Sequence, residues 1–126
     1  MGIKIAGTRQ DLANTYKAKG SYFGLATGNP GDDASPENEV SGAGPEGAYA
    51  RVQATTSSGT TGTVLYGNVA INAPATGSTY TVTHAIICTA ATGATMFDWA
   101  LLDGGGQQVG PLGGVITLTQ ASFTQT

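Results

Sequence analysis

From residue 48 onward, apolar and polar positions alternate in short runs separated by Gly-rich punctuation. That is the period-two signature of half-buried strands. AYARVQATT (48–56) alternates, residues 57–62 turn, TVLYGNVAI (63–71) predicts the next strand and NAPATGS (72–78) turns again. TYTVTHAIICT (79–89) predicts the longest strand, with Tyr80, Val82, His84, Ile86 and Cys88 on one face and Thr79, Thr81 and Thr83 on the other. AATGA (90–94) turns, TMFDWALLD (95–103) runs back, GGGQQVGPLGG (104–114) loops and VITLTQASFTQ (115–125) closes the chain. In the return strand Phe97, Trp99 and Leu101 form an alternating apolar face, with Asp98 opposite. Strand-sized segments at regular spacing predict a mainly all-β fold, an antiparallel β-sandwich or jelly-roll-like barrel.

The first 47 residues read differently. Ile3–Ala6 form a short apolar arm that Gly7 ends, and TRQDLANTYKAKG (8–20) predicts the one helix. Thr8 is its expected N-cap, with Asp11 in the capping-box position. Lys17 and Lys19 suit the negative end of the helix dipole, and Gly20 supplies the stop. Leu12 and Tyr16, four apart, give one narrow apolar stripe, so the helix is expected to cap a sheet edge or face a neighbour. SYFGLAT (21–27) is a strand, and residues 28–47 form a long loop with three prolines and five glycines. A loop of that length is functional or loosely ordered. The expected division is arm and helix over 1–19 and β-sandwich over 20–126.

Composition sharpens this picture. Gly, Ala and Thr make 57 of the 126 residues (20, 18 and 19), while there are three Phe, one Trp and five Tyr. Only 10% of residues are charged, against roughly 25% in an ordinary domain. Thr, Ser, Asn and Gln must therefore wet the surface, which suits a rigid part of an assembly. The net charge of −3 is unevenly laid out: Lys4, Arg9, Lys17 and Lys19 against Asp11 give the first 19 residues +3, and Arg51 against seven acids gives the rest −6. Asp32, Asp33, Glu37, Glu39 and Glu46 crowd the long loop. An acidic body with a basic end predicts that the end docks on something acidic; the plain alternative is a solvated helix face. Five dispersed cations make a poor nucleic-acid footprint. No 18-residue apolar run predicts a membrane span, and MGIKIAGTRQ lacks the apolar core of a signal peptide, so the protein is expected to be used without export.

Candidate chemistry is sparse. His84 and Cys88 are the only histidine and cysteine. Four residues along a strand separate them by about 13 Å, whereas a Cys–His dyad needs about 3 Å. Cys88 therefore reads as a small core residue and His84 as part of a sheet face. One histidine and one cysteine are too few for a zinc site within a single chain. DDASPENE (32–39) offers oxygen ligands for calcium but lacks EF-hand spacing. GAGPEG (42–47) matches G-x-G-x-x-G literally, yet an acidic loop precedes it and a strand follows, so it is a turn. Arg51, the one cation after residue 19, is expected to pair with an acid of the loop and pin that loop to the sandwich. No catalytic residue, cofactor or metal is expected, and the chain is not expected to be an enzyme.

GAYAR (47–51), then VLYGNVAINAPATG, YTVTHAII and MFDWALLDGGGQQVGPLGGVITLT, together resemble small structural proteins of tailed bacteriophages, of the tail-fibre-like, head-fibre or capsid-decoration kind. The likeness spans roughly residues 20–120. Ala85 stands where the family pattern often has an aromatic after the histidine. The resemblance implies a β-sandwich that binds other virion proteins and has no catalytic residues. With the charge layout it leads to a capsid decoration protein on the outer shell, made in the host cytoplasm, bridging major capsid protein subunits and self-associating, with a trimer favoured. Ile3, Lys4, Ile5, Arg9, Lys17 and Lys19 are the expected partner-binding residues, the arm adding as a strand to a partner's edge. A tail-tip or fibre-associated protein that meets the host through loops 28–47 and 103–114 is the alternative. A carbohydrate-binding module using Trp99 or Tyr66 is another. Neither nucleic acid nor membrane is an expected partner.

Overall fold

The computed structural model describes residues 2–126. Among them the one α-helix is α1 (Ala6–Lys19). The strands are β1 (Tyr22–Ala26), β2 (Ala43–Gly44), β3 (Gly47–Ala48), β4 (Val52–Gln53), β5 (Thr56–Ser58), β6 (Thr63–Tyr66), β7 (Val69–Ala73), β8 (Tyr80–Val82), β9 (His84–Cys88), β10 (Met96–Leu101), β11 (Gln107–Val109), β12 (Gly114–Leu118) and β13 (Ser122–Thr124). Every strand pairing is antiparallel. One layer is a four-stranded sheet in the order β10-β9-β1-β4. Against it lie the pair β12-β7 and the three-stranded β13-β6-β5, with β11-β8 and the hairpin β2-β3 at the margins.

The main core fills the space between the layers. Phe23 and Leu25 of β1 and Ile87 of β9 meet Val64 and Tyr66 of β6, Ile71 of β7, and Ile116 and Leu118 of β12. Phe23 sits edge-on to Tyr66 with ring centroids 5.3 Å apart, the arrangement that the ring quadrupoles favour. The fold is thus the sandwich-like all-β architecture that the alternation implies.

The strands are shorter than the alternation predicts, and the breaks decide which face each side chain takes. The 48–56 run splits among β3, β4 and β5, which belong to three different sheets. The 63–71 run divides at Gly67 and Asn68, sending β6 and β7 to different partners. The run over 79–89 breaks at Thr83: β8 pairs with β11, and β9 with β1 and β10. Thr83 spends its backbone on other elements, donating to the Ala26 carbonyl and accepting from the Leu102 amide. That break reverses the phase. Tyr80 and Val82 pack in the main core, followed by Ala85 and Ile87, while Ile86 and Cys88 face a second core on the other side of the sheet. The expected single face from Tyr80 to Cys88 is therefore two faces. β10 is the longest strand, at six residues.

A register shift between Met96 and Asp98 corrects the FDWAL reading in the same way. Phe97 is the extra residue, so Phe97 packs on the main core and Trp99 on the second one. Asp98 points to the same side as Phe97, where its carboxylate accepts a 2.6 Å hydrogen bond from the Tyr16 hydroxyl. A bulge shifts the inside–outside alternation by one, and neither Phe97 nor Trp99 carries a local signal for it.

The helix begins before Gly7, at Ala6, because Ile5 is the residue with extended backbone and its carbonyl accepts the Arg9 amide at 3.1 Å. Thr8 lies inside the first turn and no side chain caps the helix, so the Thr8–Asp11 capping box does not form. Leu12 points outward, and the inner face is Gln10, Ala13 and Tyr16. Gly20 ends the helix with a positive φ of 154° and a ψ of 175°, a backbone that favours glycine, in place of a left-handed cap. A Cβ there would stand 2.7 Å from both the Cys88 carbonyl oxygen and Thr89 Cα, so glycine is needed for a close approach of backbones.

Candidate partner-binding surfaces

The long acidic loop folds over the outer face of the four-stranded sheet. Glu39 bridges to Ala26, Val40 donates to the Leu25 carbonyl, and the Thr27 amide donates to the Asn38 carbonyl. Ala26, Ile86, Cys88 and Met96 are thereby covered, so that with the main core on its other face every residue of β9 is buried. One ion pair holds the loop. Arg51 Nε donates to Glu39 Oε2 and Nη2 to Oε1, both at 2.8 Å. Nη1 reaches Thr95 Oγ1 at 3.1 Å, and the Tyr49 hydroxyl donates to the same Glu39 carboxylate at 2.6 Å. Arg51 is 8% exposed and Glu39 is partly buried, so this is a bidentate, hydrogen-bonded pair with its cation buried. Burial alone would raise the Glu39 pKa, but the hydrogen bonds from Arg51 and Tyr49 hold it below the ordinary value. Glu39 in turn raises the Arg51 pKa. The expected role of Arg51 as the pin of this loop is what the geometry shows.

His84 and Cys88 occupy the two ends of β9, both buried. The His84 ring lies edge-on to Trp99 at 5.1 Å and its Nδ1 is 2.7 Å from Thr83 Oγ1. Burial pushes the Cys88 thiol up, away from the reactive thiolate. Trp99 donates its indole N–H to the Gly31 carbonyl at 2.8 Å. It is an anchor for the acidic loop, half-buried, and its polar handle is already used. Tyr66, the other aromatic considered for sugar stacking, is 5% exposed.

The six candidate docking residues do not form one patch. Ile3, Lys4 and Arg9 lie together beside Thr61, Thr63 and the C-terminal residues 124–126. Arg9 works inside the chain: its guanidinium donates to the carbonyls of Ile3 and Thr61, tying the root of the arm to the turn before β6. Ile5 is 66% exposed. Lys17 lies two turns further along α1 and donates to Ser58 Oγ at 2.8 Å, and Lys19 is exposed at the helix end. The pattern of apolar positions gives no hint of Gln10, which is buried and organises the same turn. Its Oε1 accepts the amides of Gly62 and Thr63 at 2.8 and 3.0 Å, and its Nε2 donates to Asn14 Oδ1 and the Thr63 carbonyl.

A groove of about 400 Å³ opens where the sandwich edge is not covered by α1. One wall is the end of β10, Ala100–Leu101, with Leu102, Asp103 and Gln107. The other is β12 from Ile116 and the turn through Gln120. Phe23, Tyr66 and Ile87 form its floor. Among the described residues the buried Tyr66 hydroxyl has no hydrogen-bond partner.

A family model described as podophage GP4 fiber I protein gp80 matches residues 11–118. The chain belongs to that family. Neither a curated protein nor a solved structure matches it. The matched region takes in the Arg51–Glu39 pin, β9 and most of the groove, and leaves Ile3, Lys4, Ile5 and Arg9 outside. Membership supports a structural part in the phage particle for this chain.

Proposed function

We propose that the chain is an external, fibre-type component of the virion that works by holding other proteins and performs no chemistry. The family match carries this reading. One feature of the fold supports the holding role. The charges are segregated, the basic arm and helix lying with β5 and β6 and the acidic loop lying on the outer face of the other layer. The basic end is the mount, and the pinned loop is presented outward.

Decoration of the outer capsid is a second reading, in which the same end docks on major capsid protein subunits and bridges them. The charge polarity favours it, since a basic end on an acidic, charge-poor body suits a shell-docking part. Copy number separates the two. Quantitative mass spectrometry of purified particles, scaled to the major capsid protein, is expected to give only a few copies per particle for a fibre set around one tail. Hundreds of copies would instead establish decoration.

A further inference from the structure

Three observations converge on the groove over Tyr66. The floor is apolar, and Leu101 on the rim is 68% exposed. Both walls are outermost strands, β10 in its sheet and β12 in its pair, so unpaired backbone donors and acceptors run along the groove. Gln120 in the wall holds φ at 58°, a strained conformation for a residue with a side chain and one that clusters at binding positions. An extended peptide uses all three features. Its backbone pairs with an edge and alternate side chains enter the floor.

The chain carries a peptide of matching chemistry. Ile3-Lys4-Ile5 alternates apolar, cationic and apolar, Lys4 is exposed, and Ile5 is extended (φ −89°, ψ 118°) and 66% exposed. Asp103 is the one charged residue lining the groove, and it is an acid. The arm's root is tied at Thr61, beside the C-terminal residues, and shares no lining residue with the groove. We propose that the arm of one copy inserts as an added strand into the Tyr66 groove of the next, Lys4 meeting Asp103. Arm and groove are different patches, so the contact is head-to-tail, giving a ring where the rotation between copies closes and a filament where it does not. This inference deepens the virion reading, on which it rests for its setting, by naming the contact through which copies associate.

Sedimentation velocity of the full chain over a concentration series tests it. Wild type is expected to associate, and a chain lacking residues 2–5 to remain monomeric. Lys4→Glu and Asp103→Lys should each weaken association about tenfold, and the double variant should recover most of the loss. A wild type that stays monomeric, a truncated chain that associates normally, or a charge swap without rescue would each overturn the proposal. Particle binding by a strictly monomeric chain would overturn this inference alone. Association without any binding to particles would overturn the virion reading alone.

Discussion

Replacing Arg51 by methionine is expected to lower unfolding stability by about 3 kcal/mol, the low end for breaking a buried ion pair, because the stranded Glu39 is only partly buried. Glu39 would keep only the Tyr49 hydroxyl, and the Arg51 contacts to Thr95 and the Ala90 carbonyl would go with the guanidinium. The loss has a local signature. Trp99, the only tryptophan, is bonded to the loop at Gly31, so its fluorescence reports release of the loop directly. Urea unfolding followed at Trp99 gives the stability, and limited proteolysis over residues 31–37 gives the release. The pH dependence follows from the same pair. Glu39 has a folded pKa below its ordinary value of 4.5. Its ionised form therefore contributes stability that is fully present above about pH 4.5 and is lost as pH falls through the lower folded value. Arg51→Met should flatten that acid-side dependence. Equal stability of the variant and wild type at pH 7 would show that the loop is held by something else.

The second large effect is at Tyr16, which joins the helix to the sandwich edge. Its ring stacks on Phe123 at 3.8 Å and meets Phe97 edge-on at 5.3 Å, while its hydroxyl donates to Asp98. Tyr16→Ala is expected to cost about 3 kcal/mol, the lower end for removing an aromatic side chain because the site is half-buried. Tyr16→Phe keeps both ring contacts and should cost about 1–2 kcal/mol, the loss of a hydrogen bond to a carboxylate. Burial, and then Asp98, raise the Tyr16 pKa well above 10. The docked phenol thus stabilises the fold below pH 10 and loses that advantage only as pH rises above it. Urea unfolding, with hydrogen exchange of the α1 amides, separates the two variants. In Tyr16→Ala the helix amides should exchange well before those of β9. Uniform exchange would mean that the helix is held by Ala13 and Gln10 alone.

How far the chain can be read without coordinates depends on the kind of contact. Alternation with Gly-rich turns is a local property, so the all-β class was legible. The pairing of Arg51 with a loop acid was legible by elimination, because Arg51 is the sole cation after residue 19 and five acids precede it closely. Strand ends were not legible, because what ends them is tertiary: Thr83 leaves its strand to bond Ala26 and Leu102. Faces failed for the same reason, since one break at Thr83 and one bulge at Phe97 each reverse the phase. The capping box failed because Ile5, which has no capping side chain, starts the helix where Arg9 ties the arm down. The role of Gln10 and the groove are not legible in the sequence because each brings together residues more than fifty positions apart.

The most direct measurement is a difference map between intact particles and particles that lack this chain. Extra density on the outside of the particle, into which the sandwich fits with its arm and helix toward the neighbouring protein, is the predicted result. Identical maps, with the chain recovered only from the soluble fraction of infected cells, would contradict it.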